Sequence, residues 1–233
     1  MGTNLFDPEK VDKAIDVLIH EMPFALWETL YATVLATAIA IIIGLPLGVL
    51  LVVGEKNNIM PLPTWLMRAL NIIINILRSV PFIILTIVIM PFTRFIVGKA
   101  IGTMASVVPL TVAAFPFIAR LVESSIREIN PNIVEAAQSM GATPMQIISK
   151  VMIPESMPSL ISNATIALTT ILGYTAMSGV VGGGGLGMIA YNYGYQRYQT
   201  LIMLFAVVIL VIIVQLFQSI GTKIATKSDK RIK

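Results

Sequence analysis

Long apolar stretches separated by short polar segments dominate the chain, and the stretches are continuous rather than alternating in polarity. Each approaches the roughly 20 residues that an α-helix needs to cross a bilayer. A transmembrane barrel would instead require polar and apolar residues to alternate. The pattern therefore predicts an all-α, polytopic membrane protein with five transmembrane helices. The predicted spans are residues 24–53, 79–95, 104–122, 158–181 and 201–220.

The segments outside the spans divide the chain further. Residues 1–23 are predicted as an extracytoplasmic amphipathic segment on the membrane surface, because their apolar positions recur at helical spacing. They do not have the pattern of a cleavable signal. Residues 24–222 form the predicted membrane domain, with a connecting helix near the surface at 68–77, and residues 223–233 form a basic cytoplasmic tail. The apolar residues at helical spacing in the first segment are Val11, Ile15, Leu18 and Ile19.

The segment 130–158 lies between the third and fourth spans and carries two helix-start signals. Asn130 followed by Pro131 combines an N-cap amide with a proline in the first turn. Gly141 suits the end of the short helix that follows. A second start lies at 143–146, where a threonine, a proline and a glutamine form a capping-box pattern.

Prolines and alanines give this segment its expected shape. Pro154 and Pro158 are expected to stop the second helix before the fourth span. Ala136, Ala137 and Ala142 have small side chains, which permit close docking of the segment into a groove. We therefore expect a compact helix–turn–helix, held out of the bilayer, that contacts another molecule. The alternative, an ordinary loop, accounts less well for the doubled caps.

Composition supports the membrane assignment and excludes most catalytic classes. Only 12% of the residues are charged, against about 25% in soluble domains. There is no cysteine and the single histidine is His20, so no histidine triad, multi-histidine site or cysteine-based metal site is possible. We expect no catalytic or metal-binding residue. The net charge of +4 is treated as a topology signal, and no nucleic-acid partner is expected.

Nucleotide-binding motifs are missing or out of context. Residues 182–187 formally satisfy GxGxxG, but they follow a membrane helix rather than a strand. No GxxxxGK[ST] sequence occurs. If transport uses ATP, the ATPase must therefore be another chain, and ATP with Mg²⁺ would be bound there rather than on this chain.

The distribution of basic residues predicts the orientation. With segment 130–158 and the C-terminus in the cytoplasm, eleven basic residues lie inside and five outside, which fits the positive-inside rule. Five spans then place the N-terminus outside. The five outer basic residues are Lys10, Lys13, Arg94, Lys99 and Arg197.

The fourth span is the most polar, and its polar residues share one helix face. Such residues at membrane depth face a cavity, a translocation path or another helix. We interpret Asn163, Thr170, Tyr174 and Met177 as path residues, with Tyr174 and Met177 as the gate because they are bulky and one turn apart. The opposing interpretation, hydroxyls bonded within the helix or to neighbours, carries equal weight. The glycine-rich stretch after Met177 and the tyrosines at 191–198 are predicted to lie in an outer loop with an aromatic belt.

The sequence around segment 130–158 resembles a known family. Glu135-Ala136-Ala137, Gly141 and Ile153-Pro154 are similar to the EAA loop of ABC-importer permeases. Wider similarity, from residue 78 to 198, points to the methionine-uptake (MetI-like) permeases with the type I importer fold. It rests on the stretches RSVPFIILTIVIMPFTR, PLTVAAFPFIAR, EAAQSMGATPMQIISKV and GYTAMSGVVGGGGLG.

The resemblance implies function and partners. The EAA loop would dock into a cytoplasmic ATPase and transmit its closure to the membrane helices. A second copy of this chain, two ATPase subunits and an extracytoplasmic substrate-binding lipoprotein would complete a methionine importer in the bilayer of a bacterial cytoplasmic membrane. The implied ATPase-coupling residues are Glu135, Ala136, Ala137, Gly141, Ala142, Thr143, Pro144 and Gln146.

Two alternatives remain open. The first is the same architecture importing another small amino acid or solute, because the coupling loop carries no information on cargo. The second is an ion-coupled secondary transporter or channel. That class places ionisable groups at membrane depth, whereas acids and bases here cluster at the ends of the spans.

Overall fold

The computed structural model describes residues 8–229, and this part of the chain is helical without a β-strand. The ends of the predicted N-terminal segment and basic tail, residues 1–7 and 230–233, lie outside the described residues. Short π-helical segments occupy Ile148–Met152 and Ala190–Gln196, and a 3₁₀ turn occupies Gly179–Val181. The α-helices are α1 Pro8–His20, α2 Met22–Val53, α3 Thr64–Ser79, α4 Phe82–Val88, α5 Met90–Val97, α6 Thr103–Arg127, α7 Pro131–Ser139, α8 Pro144–Ile147, α9 Ile153–Ser178, α10 Gly185–Ile189 and α11 Thr200–Ser228.

Within residues 8–229, four helical stretches are long and apolar enough to cross a membrane: α2, α6, the continuous stretch Pro144–Val181, and α11. A fifth span exists only if α3 and α4 are counted together as one broken span. Four to five candidate spans agree with the predicted polytopic fold. The connecting helix predicted at 68–77 is confirmed as part of α3.

The second predicted span is wrong as a single helix. Residues 79–95 instead divide into α4 and α5 at Ile89, whose backbone leaves the helical region with φ −93° and ψ 7°. Pro91 explains the break, because it has no N–H and its ring crowds the carbonyl four residues earlier.

The prediction that Pro154 and Pro158 stop a helix is also wrong. The helix continues from α8 through the π-helical segment Ile148–Met152 into α9, and Pro158 lies inside α9. The π-helical bulge changes the hydrogen-bond register just before Pro154, where a regular helix would need the missing N–H. Ser156 donates a hydrogen bond of 2.8 Å to the Met152 carbonyl, which gives this acceptor a partner.

The chain forms two compact units. Unit 1 comprises residues 8–37, 81–111 and 168–217 of the described chain, and unit 2 comprises residues 38–80, 112–167 and 218–229. The core of unit 1 combines residues of α1, α2, α9, α10 and α11. Its buried members are Ala14, Val17, Met22, Ala25, Leu172, Leu186, Ile189, Ile202, Ala206 and Ile213.

Close packing of α2 on α6 characterises unit 2. A Cβ atom added to Gly44 would lie 2.8 Å from the Ile118 side chain, and one added to Gly48 would lie 2.6 Å from Val122. The GxxxG pattern of α2 therefore provides the close helix contact that small residues permit. Pro46, between the two glycines, does not interrupt α2.

The amphipathic helix predicted near the N-terminus exists as α1, but a different face is buried. Ala14 and Val17 are buried in the core of unit 1, whereas Ile15 and Ile19 are exposed. Small side chains at positions 14 and 17 allow α1 to approach the core closely. The predicted apolar face is therefore only partly the packed one.

Candidate coupling and gate sites

The coupling segment, residues 130–158 in unit 2, begins as its caps predict. The side-chain oxygen of Asn130 accepts a hydrogen bond of 3.0 Å from the Asn132 N–H, and Pro131 occupies the first turn of α7. Gly141 follows the end of α7 with φ +77°, and no atom lies within 4 Å of the position a Cβ would take. The glycine is needed there for backbone conformation rather than for space.

The second predicted cap is a complete capping box. The Thr143 hydroxyl accepts from the Gln146 N–H at 3.4 Å, and the Gln146 side chain accepts from the Thr143 N–H at 2.9 Å. Pro144 occupies the first helical position. Two N–H groups at the start of α8 thus obtain partners from side chains within the same four residues.

The predicted coupling residues do not all share one accessible surface. Glu135, Ala136, Gly141, Thr143, Pro144 and Gln146 are exposed and Ala142 is half-buried, but Ala137 is only 4% exposed. Ala137 faces the protein, because one face of α7 must pack inward. Two methionines that the sequence reasoning passed over are prominent here: Met140 is 81% exposed and Met145 is 68% exposed. Large apolar residues directly beside the predicted helix end at Gly141 and the predicted cap at Thr143 were the available signal.

A groove of about 550 Å³ lies beside α7. Arg127 and Glu135 supply its charged walls, Asn57 and Gln138 are polar, and apolar side chains such as Met152 form the floor. The volume falls in the range of ligand-sized clefts. The exposed face of α7 therefore borders a depression rather than a flat surface.

An ion-pair network joins α6 to neighbouring segments of unit 2. Glu123 accepts from Arg120 at 2.6 Å and from Arg127 at 2.9 Å, which are contacts at the i,i+3 and i,i+4 spacings of one helix. Arg127 also binds Glu55 at 2.6 Å. The same Arg120 guanidinium donates to the amide oxygens of Asn71 and Asn75 on α3. The sequence did not reveal these three additional partners.

The proposed gate residues lie near the end of α9 in unit 1. The Tyr174 ring stacks on Phe82 with centroids 4.9 Å apart and planes 3° from parallel. Met177, one turn later, is 46% exposed, and Thr170 is half-buried. Their function as a gate stays a prediction.

Asn163 is engaged with α6 in unit 2. Its amide donates to the Leu121 carbonyl at 3.2 Å and to the Ser125 hydroxyl at 2.8 Å. Ser159 donates to the same Ser125 hydroxyl at 3.1 Å. These contacts are hydrogen bonds between helices, as the alternative interpretation of the polar residues in the fourth span predicts. A position in the translocation path stays a prediction for Asn163.

The glycine-rich stretch is not the open loop that was predicted. The glycine turn, residues 182–187, includes the first three residues of α10, and Leu186 is buried in the core of unit 1. The tyrosines that follow lie in a π-helical segment and at its end. Tyr195 and Tyr198 are exposed, whereas the Tyr193 hydroxyl donates to Glu21 at 2.6 Å. This hydrogen bond to a carboxylate raises the pKa of Tyr193.

Glu28 is a second group that sequence reasoning missed. It is the single charged residue of α2 and is half-buried. One of its carboxylate oxygens accepts from the Thr103 hydroxyl, and the other accepts from the Gly185 N–H at 2.9 Å. A lone ionisable residue within an apolar span was the signal that should have identified it.

Membrane-length helices interrupted by an exposed, doubly capped segment are typical of an integral membrane protein. The sequence model of the binding-protein-dependent transport system inner membrane component family matches residues 40–232. The chain belongs to this family, which confirms the resemblance found in the sequence. A permease of this kind is the non-catalytic membrane component of its transporter.

Curated relatives are similar over nearly the whole chain. The probable D-methionine transport system permease protein MetI of Vibrio cholerae is 50% identical over 208 residues, covering 89% of this chain and 92% of that protein. The methionine import system permease protein MetP of Bacillus subtilis is 46% identical over 220 residues, covering 93% and 97%.

Solved structures show the same fold. An inward-facing structure of the MetNI methionine ABC transporter has a chain with a TM-score of 0.88 and 48% identity, covering 90% of this chain and 96% of that chain. A chain of an amino acid ABC transporter with histidines has a TM-score of 0.70 at 19% identity, covering 99% and 100%. The second similarity concerns the fold alone.

Proposed function

We propose that this chain is the permease subunit of an ATP-driven importer for methionine in a bacterial cytoplasmic membrane. The similarity to permeases named for methionine and D-methionine transport, over about nine-tenths of the chain, carries the choice of cargo. The exposed coupling segment supports the dependence on ATP, because its two capped helices form an exposed surface of defined shape that an ATPase could contact.

The transporter would contain two copies of this chain and two cytoplasmic ATPase subunits. A substrate-binding protein would deliver methionine to the extracytoplasmic face, where the N-terminus would also lie. ATP and Mg²⁺ would be held by the ATPase subunits. Each coupling segment would contact one ATPase through Glu135, the small residues around Gly141, and the capping box, with Met140 and Met145 as apolar anchors.

Transport would follow alternating access. ATP binding would bring the ATPase subunits together and move the coupling segments with them. Because α8 continues through the π-helical segment into α9, displacement of the coupling segment reaches a membrane helix through continuous backbone. Tyr174 and Met177 at the far end of that helix would open and close the path. ATP can shift this equilibrium only if its affinity differs between the two conformations.

Uptake into vesicles tests the proposal. Vesicles would contain this chain, its ATPase and its binding protein, and would be supplied with ATP inside and labelled L- or D-methionine outside. We expect uptake of at least one enantiomer that stops when the ATPase or ATP is omitted. Uptake without the ATPase would instead support an ion-coupled carrier or channel. ATP-dependent uptake of another amino acid in place of methionine would change the cargo but retain the importer.

A charge reversal tests the coupling surface. Glu135→Lys should abolish uptake while the protein still inserts and the ATPase still hydrolyses ATP. Glu128→Lys, at an exposed position just beyond α6, is the matched control and should retain uptake. Equal uptake by both variants would contradict docking through Glu135.

Met177→Ala tests the gate. We expect leak of labelled methionine or a raised basal rate of ATP hydrolysis, because a bulky side chain would be lost from the constriction. Wild-type behaviour would move the gate to another residue.

A further inference from the structure

The carboxylate of Glu28 connects three parts of unit 1. Glu28 lies near the start of α2, its Thr103 partner is the first residue of α6, and its Gly185 partner is the first residue of α10. Both carboxylate oxygens are engaged by donors of the protein. The group is therefore suited to an internal contact rather than to binding a ligand.

Thr29 extends this contact by one residue. Its hydroxyl accepts a hydrogen bond of 2.9 Å from the Leu186 N–H and donates one of 2.9 Å to the Ala25 carbonyl. Thr29 is buried, and Leu186 is fully buried in the core of unit 1. The first two N–H groups of α10 thus have acceptors on consecutive side chains of α2.

The α10 helix in turn touches the end of α9 through backbone. A Cβ atom on Gly187 would overlap the carbonyl group of Ala176, and one on Gly179 would overlap the backbone N–H of Met188. Such contacts leave no space for a side chain between the two segments. Met177 follows Ala176 directly, so the position of α10 determines the position of the backbone that carries Met177.

The glycine turn has a defined backbone conformation in the structure. Gly182, Gly184 and Gly185 have φ values of +83°, +79° and +74°, and the Gly183 N–H donates to the Ser178 carbonyl at 2.8 Å. A turn made of glycines is intrinsically flexible. Its single conformation therefore depends on contacts from outside the turn, of which Glu28 supplies the charged one.

We propose that Glu28 is a positioning residue for the gate: it fixes α10 against α2, and α10 holds the Met177 end of α9 in place. This inference rests on the proposed function, because a gate has meaning only in a transporter. Glu28 acts through α10 and does not itself contact methionine.

Hydrogen exchange tests the contact without any transport measurement. The complex of this chain with its ATPase would be compared as wild type and as Glu28→Ala. Peptides covering residues 182–189 should exchange about tenfold faster or more in the variant, as expected for loss of a hydrogen bond to a charged acceptor. Peptides covering 143–148 in unit 2 should be unchanged. Unchanged exchange at 182–189 would overturn the proposal.

The ratio of basal to stimulated ATP hydrolysis tests the positioning role. A loss of folded protein would lower both rates together. A mispositioned gate should instead raise the basal rate and lower the stimulation by binding protein and methionine, so that the ratio increases about threefold, equivalent to about 0.7 kcal/mol. An unchanged ratio with faster exchange would overturn the positioning role while leaving the methionine importer intact.

Two further variants keep the test decisive if Glu28→Ala does not fold. Glu28→Gln retains an oxygen acceptor of the same size, so its exchange and ATPase ratio should return most of the way to wild type. Asp12→Ala removes an exposed carboxylate of α1 and should match wild type in both measurements. If the amide oxygen is a sufficient acceptor, residues 182–189 should exchange at the same rate in Glu28→Gln as in Asp12→Ala. A Glu28→Gln variant as defective as Glu28→Ala would contradict rescue by the acceptor and overturn the assignment.

If wild-type vesicles take up no methionine, the proposed function fails. The exchange measurement still reports on the Glu28 contact in that case. The two failures are therefore distinguishable.

Discussion

Gly141 of the coupling segment and Gly187 of the glycine turn are glycines for different reasons. At Gly141 there is open space around the missing side chain, and the positive φ alone requires glycine. At Gly187 the backbone is helical, but a side chain would enter the carbonyl group of Ala176. One segment is shaped by interactions between residues close in sequence. The other is shaped by contacts with residues far away in the chain.

The sequence separation of hydrogen-bonded residues shows the same difference between the two regions. Thr143 and Gln146 cap each other across three residues. By contrast, 157 residues separate Gly185 from Glu28 and Leu186 from Thr29. The coupling segment can therefore keep its local shape while a partner pulls on it, whereas the glycine turn loses its shape if the packing of unit 1 changes. Substitutions in the two regions should differ both in magnitude and in how far their effects extend.

The largest effect is expected for Gly187→Ala, because the added Cβ would overlap backbone that cannot move aside. Overpacking of this kind costs about 3 kcal/mol. Gly173→Ala is the matched control, since Gly173 lies in α9 with open space around it, and it should stabilise by about 0.5–1 kcal/mol. Thermal unfolding can be followed through Trp27 of unit 1 after Trp65→Phe, because the chain has two tryptophans. Equal melting of both glycine variants would contradict the steric explanation.

Thr29→Val should have the next largest effect. The substitution keeps the side-chain shape but removes the acceptor of the buried Leu186 N–H, which costs about 2 kcal/mol. Thr37→Val is the comparison, because the Thr37 hydroxyl bonds only the Thr33 carbonyl within the same helix. The Trp27 melting curve should shift for Thr29→Val and stay near wild type for Thr37→Val. A reversed order would show that the α2–α10 hydrogen bond contributes little.

Gly141→Ala should be milder, since the cost is only that of placing an L-residue at positive φ, about 1–2 kcal/mol. Gly141→Asn should cost less, because asparagine tolerates this conformation. Melting and the number of ATP molecules hydrolysed per methionine would be measured together. A bulky residue here should reduce uptake more than it reduces stability, as expected for a docking surface. Loss of stability and uptake in equal proportion would indicate a purely structural role.

The smallest effect is expected for Thr143→Ala, which removes one half of the capping box. The loss is about 1 kcal/mol and should stay local. Hydrogen exchange of residues 143–148 should accelerate several-fold, while residues 182–189 remain protected. Thr143→Ser keeps the cap and should behave as wild type. Faster exchange at residues 182–189 of unit 1 would contradict the distinction between a coupling segment shaped by near neighbours and a glycine turn shaped by distant contacts.

Several features followed from the sequence alone because they depend on near neighbours. Both caps and the glycine that follows α7 were correctly predicted. Each requires only helical periodicity or a backbone preference. The apolar runs likewise identified the four membrane-length helical stretches, since hydropathy over about 20 residues needs no knowledge of neighbours, but the second predicted span is broken.

The features that depend on residues far away in the chain were visible only in the folded structure. Proline preferences predicted that the second coupling helix would stop, but a π-helical bulge carries it into α9. The glycine stretch was predicted as a loop, but Glu28 and Thr29 hold it as part of a packed core. Asn71 and Asn75 became partners of Arg120 although they lie 49 and 45 residues away. Local preferences amount to about 1 kcal/mol per residue. They are sufficient to specify the capped helices of the coupling segment, where few other interactions compete. Around the glycine turn, packing and buried hydrogen bonds outweigh them.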